Sequence, residues 1–355
     1  MKPIPKKLIK KLLAARKPSV DAIVVVAECD RLIELNALND KAYYDRACAK
    51  YDSDDNQGAL EDFNRVIALN HNHAKAYNRR GLIKLEAGDY QEAMDDFNCA
   101  IAMDQNLYQA YVNRANAKFR IADFQSALAD YDKAIEIYPD SLDAYVNRGA
   151  VISWLGDKQG AIADYEKAIA IDPNFPLIYY NRGFAKFEMR DFQNAIDDYN
   201  KTLELNPEVK NAFFYRGASK LGIKDFRGAI ADFDMSIAYD PTELEPLFNR
   251  AIAKIGLNNF LGAINDNNKV LRIDPRFAAA YYYNGFAKYQ MGNFQGALID
   301  FDKTIEIDPR FAMAYFHRAI LELAFCDSVS ATYDLQKARD LGLINDFKLI
   351  REDLN

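Results

Sequence analysis

A spacing of 34 residues constrains this chain more than any other feature. The stretch AYVNRG at 144–149 has near-copies in AYVNRA, which begins at Ala110, and YYNRG at 179–183. Arg46, Arg80, Arg114, Arg148, Arg182, Arg216, Arg250 and Arg318 stand in one column, interrupted only by Asn284. An Ala column from Ala59 to Ala331 and an Asp column from Asp62 to Asp334 run without a break. Nine units therefore follow in register from Asp40 to Asn345, with no insertion or deletion. Counted from Asp40, Ala74, Tyr108 and so on, Arg is the seventh residue, Ala the twentieth and Asp the twenty-third. Such a period marks stacked units, each burying its apolar face against its neighbours.

Each unit reads as two helices. In 142–175, Ala144, Tyr145, Gly149 and Ile152 form one helical stripe, and LGD at 155–157 makes a turn. Ala161, Tyr165, Ala168 and Ile171 form a second stripe, stopped by DP at 172–173. Pro139, Pro173, Pro207, Pro241, Pro275 and Pro309 repeat that stop, since proline lacks an N–H and its ring clashes with a preceding turn. Gly149 and Ala161 let two helix backbones approach, and the ring of Tyr165 is expected beside them.

Tyr145, Gly149, Gly156–Asp157, Ala161, Tyr165, Ala168 and Pro173 resemble a tetratricopeptide repeat, and the resemblance covers 40–345. The Arg of NRG, where the family usually has Leu, is similar to a subclass of such repeats. The resemblance implies an all-α, right-handed superhelical solenoid of helix-turn-helix repeats, with a concave face lined mainly by first helices. A single solenoid is expected over 6–345. Extending the frame backwards puts Leu8, Ile9, Leu12 and Leu13 on first-helix core positions, so 6–39 reads as a degenerate capping repeat. Leu343, Phe347, Ile350 and Leu354 recur at helical spacing, so 343–355 reads as a closing helix.

Charge is unevenly distributed. The chain of 355 residues carries −7 overall, yet residues 1–17 hold seven Lys and Arg and no acid, which leaves −14 for the rest. A tether, or a nucleic-acid or membrane-surface binder, acting through that segment is the alternative reading, but the acidic body argues against nucleic acid. Lys and Arg interrupt every apolar stretch, which argues against a membrane span. Cys29, Cys48, Cys99 and Cys326 occupy four different repeat positions and make no disulfide ladder or zinc spacing, so a cytoplasmic protein is expected.

The Arg column needs acidic partners, and the Asp column supplies them. Two registers are possible, within a repeat or across to the next one, and the crossed register leaves fewer orphans: Glu28 with Arg46, Asp62 with Arg80, and onward. In that register Asp266 alone faces a non-Arg residue, Asn284. Asn267 beside it stands where other units place Phe or Tyr, so the 260–290 junction is expected to be the softest.

The family's groove positions are the second, fifth, sixth, ninth, twelfth and thirteenth. The sixth gives Asn113, Asn147, Asn181 and Asn249, whose amides can both donate to and accept from an extended peptide backbone. Tyr180, Phe184, Phe214, Phe248 and Tyr282, with Trp154 at a thirteenth position, offer aromatic anchors. Lys7, Lys10, Lys11, Lys41, Lys75 and Arg79 make a basic mouth suited to an acidic segment or a terminal carboxylate. The family's carboxylate clamp is incomplete, because Tyr44 and Asn78 occupy fifth positions where it has Lys.

Catalysis finds no support. His71, His73 and His317 are the only histidines, and no Gly-rich phosphate loop or nucleophile arrangement appears. No cofactor or metal is implied. The expected function is non-enzymatic binding of a protein or peptide partner in the groove; a spacer without ligand is a further alternative.

Overall fold

The computed structural model describes residues 20–343, and every regular element among them is an α-helix. These residues form two compact units that divide between Pro173 and Asn174. The first unit holds a helix at Val20–Leu35 and four pairs: Asp40–Asp52 with Asn56–Leu69, Ala74–Ala87 with Tyr90–Met103, Tyr108–Arg120 with Phe124–Ile137, and Leu142–Trp154 with Lys158–Ile171. The second holds five pairs: Pro176–Glu188 with Phe192–Leu205, Lys210–Gly222 with Phe226–Tyr239, Leu244–Gly256 with Phe260–Ile273, Ala278–Gln290 with Phe294–Ile307, and Ala312–Ala324 with Ser328–Asp340. Within each unit, a pair packs against the pairs before and after it. Leu8, Ile9, Leu12, Leu13, Phe347, Ile350 and Leu354, which carry most of the expected end caps, lie outside the described residues.

The turn inside each pair is made the same way. Its fifteenth residue takes a left-handed backbone, whether it is Gly88, Gly156 and Gly292 or Asp54, Ala122, Arg190, Lys224, Asn258 and Cys326. The next residue caps the second helix. The carboxylate of Asp157 accepts from the Gly160 N–H at 2.8 Å, and Asp55, Asp123, Asp225, Asn259, Asn293 and Asp327 do likewise. Second helices end on an extended residue, and the side chains of Asp104, Asn206, Asp240, Asp274 and Asp308 accept from the N–H two residues on.

The motif AYVNRG is a set of packing instructions. Ala144 is fully buried, and Gly149 leaves the space that Tyr165 fills: a Cβ there would stand 2.9 Å from the ring. The Arg148 guanidinium lies 5.6 Å from the Tyr145 ring centroid, a cation–π contact repeated in seven of the eight Arg units. Arg148 also donates to both oxygens of Asp164, at 2.8 and 2.6 Å. This bidentate pair joins the two helices of one repeat. In six repeats a Lys at the eleventh position grips the same Asp beside the Arg, as Lys186 does at Asp198 (2.8 Å).

The cross-repeat register expected for these pairs is therefore wrong. Arg46 pairs with Asp62 of its own repeat, not with Glu28. What crosses to the preceding repeat is the remaining guanidinium nitrogen, which donates to a twenty-fifth residue: Asp30 from Arg46 and Asp132 from Arg148, both at 2.6 Å, and Asp234 from Arg250 at 2.6 Å. Asp266 is likewise no orphan, since Arg250 and Lys254 both hold it. Among the described residues the carboxylate of this column left without an Arg is Asp300, which has Lys288 at 2.6 Å and is raised above the usual carboxylate range by burial.

Asn267 is fully buried in the column of Phe63, Tyr165 and Phe301, and neither its amide oxygen nor its nitrogen has a partner among the described residues. Asn284 donates to Asn268 at 3.0 Å, but its oxygen is buried without a partner among the described residues. Opposite Asn267 stands Ala251, and the Ala115–Tyr131 repeat accommodates a ring against alanine at the same two positions. Asn267→Phe is expected to stabilise the 174–355 unit by about 1–3 kcal/mol, the cost of buried amide atoms left unbonded. Denaturant unfolding checks this; a loss of stability would mean that the ring's space is already filled.

In the last repeat the eleventh position carries Glu322 instead of Lys. Its carboxyl is pushed up to about 7, first by burial and then by Asp334, with Arg318 opposing and Asp327 and Asp302 adding. A carboxyl raised on folding binds its proton more tightly in the native state. The stability it contributes is complete below the ordinary glutamate pKa and is lost as pH rises through about 7. Hydrogen exchange at 312–343 should therefore quicken between pH 5.5 and 8 beyond its intrinsic dependence. Glu322→Gln should remove that component, and an unchanged profile would sink the assignment.

Candidate functional site

The first unit contains a cavity of about 420 Å³ among its first helices, lined by Tyr44, Lys75, Asn78, Arg79, Val112, Asn113 and Asp143, among others. These residues come from three repeated positions. Lys75 and Asp143 are second residues, Tyr44, Asn78 and Val112 fifth, and Arg79 and Asn113 sixth. A 34-residue step with one turn geometry brings each column to the same side of successive helices. Lys75 is exposed and Arg79 half-buried one helical turn away, so two cations share a wall.

The polar groups in this cavity are already organised. Asn113 donates to the buried Asn78 carbonyl at 3.0 Å. The Tyr44 ring stacks on His73 at 4.8 Å, and His73 Nδ1 accepts from the Ala76 N–H, capping the helix that carries Lys75 and Arg79. Burial pushes the Tyr44 phenol up to about 12, with Cys48 adding and Arg79 opposing. Asp143 keeps accessible surface, yet enough protein surrounds its carboxyl for desolvation to raise it. Both are true of a group on a concave wall.

The four Asn expected as one ladder divide into different roles. Asn113 bonds Asn78, and Asn147 donates to Asn116 at 3.1 Å, so both reach the preceding repeat. Asn249 donates to the Glu245 carbonyl of its own helix at 2.8 Å. Asn181 is half-buried at the same position. Of the basic residues, Lys75 and Arg79 line the cavity, Lys41 is exposed elsewhere, and Lys7, Lys10 and Lys11 lie outside the described residues.

The aromatic residues differ in access. Trp154 is exposed and lies 6.4 Å from Phe124 in the first unit. In the second unit Tyr180, Phe184, Phe214 and Phe248 are half-buried. Tyr282 is not available as an anchor: it is buried, packs 4.9 Å from Phe311 and 6.0 Å from Phe301, and its hydroxyl faces His317 Nδ1 at 3.4 Å. Its column reads the same in sequence as that of Tyr180. Phe311, the last residue of its own repeat, and His317 of the next one decide the difference by closing over it.

Family models described as tetratricopeptide repeat match residues 74–107, 108–141 and 176–209, and one described as TPR repeat matches 155–190. The fold is similar to that of a tetratricopeptide repeat protein from Parabacteroides merdae, with 23% identity, 70% of this chain and 97% of that one covered, and a TM-score of 0.53. It is also similar to the C-terminal part of a TPR repeat-containing protein from Cytophaga hutchinsonii, with 20% identity, 67% and 97% covered, and a TM-score of 0.54. The chain is a tetratricopeptide-repeat protein. No curated protein matches it in sequence.

For a tetratricopeptide-repeat protein the informative unit is the column. Tyr44, Asn78, Val112 and Asp143 were legible as groove positions, but as residue types they carry no motif. No helix among the described residues is long and apolar enough to cross a membrane. Tyr282→Ala in this repeat protein should cost about 3–5 kcal/mol of stability, as for other buried aromatics. Thermal unfolding tests it, and a cost under 1 kcal/mol would return Tyr282 to the groove.

Proposed function

We propose that this protein is a non-enzymatic interaction scaffold whose first unit holds an extended segment of a protein partner, with an acidic side chain or terminal carboxylate in the Lys75–Arg79 cavity. One observation carries the reading: groove positions of successive repeats converge on a cavity in which two cations stand beside two linked amides. Lys75 and Arg79 supply attraction, while Asn78 and Asn113 offer donors and acceptors to a peptide backbone. The Asp143 carboxylate on the far wall disfavours a segment that is acidic throughout, so a single acidic group is read among neutral residues. Residues 6–39 and 343–355 are proposed to close the repeat array at its two ends. A cytoplasmic setting is proposed from the four cysteines, which are free thiols at unrelated repeat positions.

The test is selection of peptides from a random displayed library on the full chain, followed by calorimetric titration of the enriched sequences. Lys75→Ala with Arg79→Ala should weaken binding by about 2 kcal/mol or more, and Asn113→Ala by roughly 1 kcal/mol. Circular dichroism checks that each variant folds. Peptides that bind both folded variants as they bind the wild type would exclude this cavity.

A further inference from the structure

The second unit carries a surface of different chemistry. Tyr215 lies within 5.1–6.2 Å of the rings of Tyr180, Phe184, Phe187, Tyr199 and Phe214. Tyr199 is fully buried, and the others are half-buried, so they present one continuous aromatic surface. Tyr215 stands at the sixth position, where Asn113, Asn147, Asn181 and Asn249 show that the stack does not require a ring.

The charges that act on Tyr215 are of one sign. Burial raises the Tyr215 phenol, and the carboxylates of Glu188, Glu245 and Glu243 raise it further. Of the cations on the same two first helices, Lys210 lies over the Tyr239 ring at 5.0 Å, and the other four hold buried carboxylates. Arg182 and Lys186 hold Asp198, and Arg216 and Lys220 hold Asp232. Aromatic faces and carboxylates both attract a positive charge, and both repel an anion.

We infer that the aromatic surface centred on Tyr215 is a docking site for a partner segment presenting an Arg or Lys side chain between apolar residues. The cation lies against the ring faces of Tyr215 and Phe184, within the field of Glu188 and Glu245, and its apolar neighbours cover Tyr180 and Phe214. Arg suits the site best, because a planar guanidinium stacks on a ring while its edges donate to carboxylates. The site is independent of the Lys75–Arg79 cavity and has the opposite charge preference.

The test uses the full chain and pools of acetylated, amidated octapeptides with Arg, Lys, Gln or Glu at the centre of randomised apolar and small residues. Affinity selection followed by fluorescence titration should rank Arg and Lys at least tenfold above Gln, with Glu weakest. Glu245→Gln with Glu188→Gln removes two charges and should weaken the best Arg peptide about tenfold. Tyr215→Leu should do the same, and Tyr215→Phe should retain most of the affinity, which separates a lost ring from a lost fold. Lys75→Ala with Arg79→Ala should leave these peptides unaffected. Equal binding of the Arg and Gln pools, no binding of either, or no response to the Glu and Tyr215 variants would each overturn the inference. So would tighter peptide binding after the seven Lys and Arg of residues 1–17 are changed to Gln, because the chain's own basic segment would then be the occupant.

Discussion

A carboxylate buried between two helices governs how each repeat is assembled. Asp164 and its equivalents are nearly devoid of solvent contact, and an ionised carboxylate in that position is costly unless cations and hydrogen bonds meet it. Arg at the seventh position supplies a fixed two-pronged fork, and Lys at the eleventh commonly adds a second charge from one turn further along. Removing the Arg would strand the carboxylate, at a cost of about 3–5 kcal/mol. The pair also defines geometry, since a planar fork tolerates little change in how the helices cross. The third prong reaches the twenty-fifth residue of the preceding repeat, so one side chain sets the angle within a repeat and the spacing between neighbours.

The same requirement explains what the sequence made legible and what it concealed. The period, the helix pairs and the small residues at Gly149 and Ala161 follow from spacing, because close helix contact leaves no room for anything larger. The Arg–Asp register did not follow. In a 34-residue period, the step from Arg148 forward to Asp164 and the step back to Asp130 are sixteen and eighteen residues, and both columns recur identically. Hairpin geometry decides between them. Two antiparallel helices joined at a left-handed fifteenth residue bring together positions equidistant from that turn, and the seventh and twenty-third are each eight residues away. Six of the nine turns place a non-glycine residue in that conformation, so the turn was legible from the period and not from Gly. For the candidate site, the groove columns were legible, but the access of each side chain was not. Tyr180 and Tyr282 share a column, and only the residues packed over each, Phe311 and His317 in the case of Tyr282, separate a half-buried ring from a core ring.

Irregular rungs carry information because a repeat chiefly meets its neighbours. A change at one rung is absorbed locally and need not propagate. Ile152 replaces the usual Lys without loss, since Asp164 already has both oxygens on Arg148. Asn284 is different: it removes the fork itself, and Asp300 is left with a single Lys. Glu322 goes furthest, placing a second carboxylate beside Asp334 where the other repeats favour a cation. The departures become more severe toward the C-terminal repeats, so the second unit spends less of its sequence on a uniform stack.

Internal pairing also decides what chemistry the outer surfaces can display. A first helix has few cationic positions, and those at the seventh and eleventh residues are drawn inward by the buried Asp. A groove becomes basic only when additional cations appear at the second or sixth position, as Lys75 and Arg79 do in the first unit. Where those positions hold Asn211, Tyr215 and Glu245, the groove columns add rings and carboxylates but no cation. Both surfaces arise from one scaffold rule, because the buried carboxylates neutralise the recurrent cations and leave a few groove columns to set the sign. A partner's charge is thus selected by side chains that contribute little to the stack, so they can vary from repeat to repeat while the Arg–Asp pairs stay fixed.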